Sequence, residues 1–138
     1  MATAGYSGTP LAKKLGIKEG MKVWVCDEPK GYWDWLSPLP AEIDVKFRAA
    51  SGLNFVHLFF TTQKAFKKGT LMARKSLAPD GMIWISWPKK SSKVTTDLDE
   101  NVIRDFALKN GLVDVKVCAV DEVWSGLKLV IPVKLRKK

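Results

Sequence analysis

Leu53-Asn-Phe-Val-His-Leu-Phe-Phe60 is the stretch that decides the fold of this chain. No glycine or proline interrupts it, and every residue except Asn54 is apolar or aromatic. In an extended segment Leu53, Phe55, His57 and Phe59 point one way, and Val56, Leu58 and Phe60 the other. A strand apolar on both faces belongs inside a sheet covered by helices on both sides.

Working outward toward the C-terminus, Thr61 or Thr62 caps a helix expected to run to about Ala78. Its buried face carries Phe66, Thr70, Ala73 and Leu77, while Lys64, Lys67, Lys68, Arg74 and Lys75 face water. Pro79-Asp80-Gly81 reads as a turn. Met82-Ile-Trp-Ile-Ser-Trp87 is then a second interior strand, stopped by Pro88, and Lys89 to Val94 a polar loop. Asp97 and Glu100 form the capping box of a further helix with Val102, Ile103, Phe106 and Ala107 at helical spacing. Val113, Val115, Val117 and Ala119 alternate with Asp114, Lys116 and Cys118, and Leu127 to Ile131 follows a turn at Asp121 to Gly126. Those last two strands form a hairpin, with Pro132 ending the pairing.

Upstream, Thr9 and Pro10 open a short helix with Leu11, Ala12 and Leu15 on its apolar stripe and Gly16 at its end. Met21 to Cys26 is the first strand. The turn after it is Asp27-Glu28-Pro29-Lys30-Gly31, where nucleotide-binding α/β folds carry several glycines. One glycine, a proline and two carboxylates make a poor phosphate cradle, so an ordinary S-adenosylmethionine (SAM) or dinucleotide site is disfavoured. Tyr32 to Leu36 forms at most a short helix. Glu42 to Phe47 alternates, with Ile43, Val45 and Phe47 inward, as a half-exposed edge strand. Only Arg48 to Gly52 separate it from the central strand, so it is either antiparallel or joined by an extended tether.

At 138 residues the chain reads as a single α/β domain: 1–20 a capping segment and short helix, 134–138 a basic tail. No window resembles a membrane span or a secretory signal, so cytoplasmic residence is expected. Cys26 and Cys118 lie in apolar strand patterns and read as reduced core thiols. One histidine and no close cysteine pair exclude an ordinary structural zinc site, and no metal is expected. The net charge of +9 is spread over basic pairs on several elements, so an anionic partner is compatible with it but no single basic block marks one.

The order helix, β, β, β, α, β, α and β-hairpin resembles a reduced class I methyltransferase-like, Rossmann-like three-layer sandwich. It implies a mostly parallel sheet of about six strands ending in an antiparallel hairpin. Tyr6-Ser-Gly-Thr-Pro-Leu-Ala-Lys-Lys-Leu-Gly-Ile17, Ser86-Trp-Pro-Lys-Lys90 and Cys118-Ala-Val-Asp-Glu-Val-Trp-Ser-Gly-Leu-Lys128 together resemble the bacterial family designated domain of unknown function 3052. The resemblance spans about Gly5 to Ile131. It implies a stand-alone bacterial cytosolic domain and brings no catalytic residues with it. The tryptophans around Trp33 and the basic tail stand outside that pattern.

Ligands of open α/β sheets bind at the carboxyl ends of the strands. That rim is expected to gather Asp27, Glu28, Trp87, Lys89, Lys90, Asp121, Glu122, Trp124 and Ser125, with Tyr6 and Ser7 folding over it. Each has a structural role to set against a ligand role: polar loop, solvated turn or rim packing. His57, mid-strand among large apolar neighbours, reads as a buried, neutral, hydrogen-bonded residue and not as a general base. Three functions follow in order. The first is a binding module holding a small anionic ligand or protein partner at the rim. The alternative is a small group transferase with Asp27 or Asp121 as base. The third is association with nucleic acid, from the basic pI, six tryptophans and the tail. Membrane association is not expected, and the oligomeric state is left open.

Overall fold

The computed structural model describes residues 10–136. Its elements run α1 (Leu11–Leu15), β1 (Lys22–Cys26), α2 (Tyr32–Leu36), β2 (Asp44–Lys46), β3 (Leu53–Phe59), α3 (Gln63–Ser76), β4 (Leu77–Pro88), α4 (Glu100–Lys109), β5 (Val113–Ala119) and β6 (Trp124–Val130). The six strands form one sheet in the order β2-β1-β3-β4-β6-β5. β2, β1, β3 and β4 pair parallel, and β6 lies antiparallel between β4 and β5. This is the methyltransferase-like, Rossmann-like α/β fold expected from the sequence.

β3 is the spine. Phe55, Val56, His57 and Leu58 are fully buried. One face of the sheet packs Val56, Leu58, Phe60, Ile83 and Ile85 against Phe66 and Ala73 of α3 and Ile103 and Ala107 of α4. The other packs Val23, Val25, Phe55, Phe59 and Trp84 against α1 and α2 through Leu11, Leu15, Tyr32 and Leu36. Trp84, buried among them, donates its indole N–H to the Leu15 carbonyl at 2.8 Å, so the burial leaves no orphan donor. Leu53 sits with the α3 side, not with Phe55 as strict alternation predicts. The register shifts between Leu53 and Phe55, opposite a bulge in β4, and Leu53 pairs there with Leu77 of the same cluster.

Several boundaries differ from the sequence reading. Helix α3 ends at Ser76, and Leu77 already belongs to β4. Pro79-Asp80-Gly81 is no chain-reversing turn but an excursion within β4: Leu53 pairs with Leu77, and Phe55 with Met82. The strand thus carries three extra residues there, with Pro79 and Asp80 exposed. Gly81 is needed because a Cβ would lie 2.7 Å from the Leu53 carbonyl oxygen. The α4 cap is Asp99, whose carboxylate accepts from Val102 N at 2.9 Å. Asp97 instead accepts from Gln63 N at 2.7 Å and ties the loop to the start of α3.

β2 is parallel to β1 and only three residues long, so the tether reading is the correct one. Phe47 lies beyond its end and is 91% exposed, not inward. In β5 a register shift between Asp114 and Lys116 moves Val115 and Val117 outward and Cys118 into the core. Thr9 lies outside the described residues, and Pro10 directly precedes α1.

Candidate functional site

The chain direction reverses across the sheet between β1 and β3. From β1 it winds through α2 to β2 on one side. From β3 it winds through α3 to β4 on the other. Two connections that leave neighbouring strands in opposite directions open a crevice at their carboxyl ends, where α/β proteins bind ligands. Into that edge run the ends of β1, β2, β3 and β4 and the β5–β6 turn.

The turn after β1 is tight and polar. Asp27 (φ 58°) and Gly31 (φ 88°) both adopt the left-handed conformation, folding the backbone sharply at each end. Gly31 also lets Trp35 approach: a Cβ there would sit 3.2 Å from the indole nitrogen. Glu28 accepts from Trp33 Nε1 at 3.1 Å. Glu28, Pro29, Lys30 and Gly31 line a cleft of about 310 Å³ with the first residues of α2. Burial raises the Cys26 thiol pKa, and the adjacent carboxylates of Asp27 and Glu28 raise it further. The thiol therefore stays protonated at neutral pH and is a poor nucleophile. Among the described residues neither Asp27 nor Glu28 is in a salt bridge.

A second cleft, of about 640 Å³, opens where β4 ends and α4 begins. Four residues expected at the rim meet there: Trp87, Lys89, Lys90 and Ser125. The hairpin register makes this possible, pairing Trp87 with Ser125 and Pro88 with Trp124, while Lys89 N donates to the Val123 carbonyl at 2.7 Å. Its acidic groups are engaged in shaping the wall. Asp97 and Asp99 cap backbone N–H groups, and Glu100 pairs with Arg104. Lys89 and Lys90 have no carboxylate within salt-bridge distance among the described residues. With Glu100 paired to Arg104, the cleft is left with two ammonium groups, Lys89 and Lys90, and two carboxylates, Asp97 and Asp99, that keep their charge while capping neutral N–H groups.

The other expected residues fall elsewhere on the same edge. Asp121 shapes the β5–β6 turn, its Oδ1 accepting from Val123 N at 2.9 Å and Trp124 N at 2.7 Å. Glu122 lies beside it with no hydrogen bond or ion pair among the described residues. Trp124 turns to the α2 side of the sheet, its ring 5.1 Å from Phe59 edge to face, whereas Trp87 packs on the α4 side. Phe59 in turn meets Tyr32 at 5.4 Å, so aromatic rings connect the β1 end of the rim to the hairpin. Tyr6 and Ser7 lie outside the described residues. No group of three or more His, Cys, Asp and Glu side chains able to hold a metal occurs among the described residues.

His57 is fully buried, and burial alone lowers its pKa from 6.5 to about 3, so the ring is neutral. Its Nδ1 lies 2.8 Å from Tyr32 Oη and its Nε2 2.7 Å from Ser86 Oγ. Sequence reasoning placed His57 correctly but missed both partners. The available signal was Ser86 itself, a lone hydroxyl in the apolar run Met82–Trp87.

No family model and no curated protein sequence matches the chain, so the likeness to family 3052 goes no further than its motifs. Solved structures do match. A SAM dependent methyltransferase from Aquifex aeolicus aligns over 88% of this chain and 87% of its own, with TM-score 0.56 and 15% identity. The DhpI–SAH complex aligns over 87% and 81%, with TM-score 0.62 and 13% identity. Ribosomal protein L11 methylase from Lactobacillus delbrueckii subsp. bulgaricus aligns over 88% and 74%, with TM-score 0.60 and 10% identity. At these identities the likeness is one of fold.

These neighbours overturn one expectation. The missing glycine run does not count against SAM, because structures of this fold include complexes with SAM and with SAH. The physical reason is visible in the β1 turn. Left-handed backbone at Asp27 and Gly31 makes the sharp bend without a run of glycines.

Proposed function

We propose that this chain is a small methyltransferase-like enzyme that binds SAM at the carboxyl ends of β1 and β3. The observation that carries the reading is the sheet order β2-β1-β3-β4-β6-β5, with its reversal between β1 and β3 and its antiparallel β6. A SAM dependent methyltransferase and a ribosomal protein L11 methylase align with this fold over nearly nine-tenths of the chain.

The residues present suit the cofactor. Its charged and hydroxyl-bearing groups call for carboxylates and free backbone groups, and the β1 turn offers Asp27, Glu28 and a sharply bent backbone. When bound, SAM supplies an electrophilic methyl group on a sulfonium centre. The chain's own part is to hold the acceptor in line and to exclude water. Trp87 walls the substrate cleft, and Lys89 and Lys90 offer ammonium donors to an acceptor there. Of the two carboxylates considered as base, Asp121 is committed to its turn.

Calorimetric titration with S-adenosylhomocysteine tests this reading. Binding is expected in the wild-type protein, weakened about tenfold in Glu28→Gln and unchanged in Lys89→Ala. Absence of heat at millimolar ligand rejects the cofactor assignment. Equal loss in both variants rejects the division into two clefts.

A further inference from the structure

Three polar side chains that the proposed chemistry does not use are joined inside the core. Ser86 of β4, His57 of β3 and Tyr32 of α2 form a continuous hydrogen-bonded chain, and none is more than 1% exposed. Such a network is costly to bury unless it is satisfied, and an apolar trio would fill the same space. Its position gives it a use.

Tyr32 is the residue directly after the β1 turn. The near end of that turn is fixed by the ladder, where Cys26 pairs with Leu58. The far end enters α2, a five-residue helix with no side-chain cap, too short to hold its own position. What holds it is the burial of Tyr32 and Leu36 and the bond from the Tyr32 hydroxyl to His57. The phenol is the better donor of the two hydroxyls, so Tyr32 donates to Nδ1 and the ring's Nε2–H donates to Ser86. His57 is thus a fixed post, set by the two central strands, to which the far end of the turn is tied. Phe59 stacks on the imidazole at 4.3 Å between ring centroids and keeps it from rotating.

We infer that Ser86, His57 and Tyr32 are positioning residues that set the height of the Asp27–Gly31 turn above the strand ends, and through it the affinity of that turn for its ligand. This rests on the SAM reading for the identity of the ligand, but not for the mechanical coupling.

Two measurements on the full chain separate the claims. Tyr32→Phe removes one hydroxyl and keeps the ring among Trp33, Phe59 and His57. Ser86→Ala releases the opposite end of the chain. In both variants, amide hydrogen exchange at Tyr32 and Trp35, whose N–H groups donate to the Pro29 and Gly31 carbonyls of the turn, is expected to accelerate at least tenfold, while Leu58 and Ile85 keep wild-type protection. The dissociation constant for S-adenosylhomocysteine is expected to rise about tenfold. His57→Gln, which retains a donor and an acceptor, is expected to change both by less than either of those variants. Unchanged exchange at Tyr32 and Trp35 overturns the inference. So does acceleration spread equally through β3 and β4, which marks the trio as core packing alone. If the wild-type protein fails to bind S-adenosylhomocysteine, the cofactor reading falls and the exchange pattern still decides the coupling.

Discussion

His57 shows how much one side chain's setting decides. A single histidine invites assignment as a base, yet its ring is sealed between Tyr32, Phe59 and Ser86 and neutral at physiological pH. Its pKa is about 3 when folded and near 6.5 when unfolded. Between those values the unfolded chain takes up a proton that the folded chain refuses, so stability is full above about pH 6.5 and falls as pH drops toward 3. The loss amounts to roughly 5 kcal/mol at the acid end of that window. Urea denaturation across pH 3–7 should show this slope in the wild-type protein and a shallower one in His57→Gln. Parallel slopes contradict a buried neutral imidazole. Burial of His57 was legible in the sequence because large apolar residues flank it on both sides. Its partner Tyr32 was not, since it comes from a short helix whose docking depends on tertiary contacts.

At the level of elements, the sequence pattern worked where both faces are buried and failed where the chain departs from regular pairing. β3 and β4 were readable as interior strands because their apolar runs are continuous. The β4 excursion was not, because Pro79-Asp80-Gly81 has the composition of a turn whether or not the strand resumes beside the same neighbour. Gly81→Ala tests that geometry: the new methyl meets the Leu53 carbonyl, and a cost of about 1–3 kcal/mol is expected in chemical denaturation. A neutral effect rules out the close approach. β2 misled in the opposite way, since alternation placed Phe47 inside although the strand stops one residue earlier. Phe47→Ser should therefore change stability by less than about 0.5 kcal/mol, against about 3–5 kcal/mol for a buried phenylalanine such as Phe55 replaced by alanine. A large loss at Phe47 puts it back in the core.

For the molecule as a whole, two helical layers and a reversing strand order bring distant parts of the sequence to one edge. Asp27, Lys89 and Trp124 all lie there, as the topology read from the sequence predicted. Legible in advance were the rim and the membership of Trp87, Lys89, Lys90 and Ser125 in it. Its division into two clefts was not, because the face on which Trp87 or Trp124 emerges depends on strand register. The inference against SAM erred by treating glycine count as the test, when backbone conformation at Asp27 and Gly31 supplies a sharp bend without a glycine run. No helix among the described residues is long and apolar enough to cross a membrane. The net charge of +9 gives the surface a general attraction for anions that falls as salt rises.

The central claim is that the carboxyl ends of β1 and β3 form the cofactor site. Amide chemical-shift mapping during titration with SAM tests it most directly. Perturbations confined to Cys26–Tyr32 and Phe60–Thr62 are predicted. No perturbation at saturating ligand, or perturbation centred on the opposite edge at Lys22 and Leu53, contradicts it.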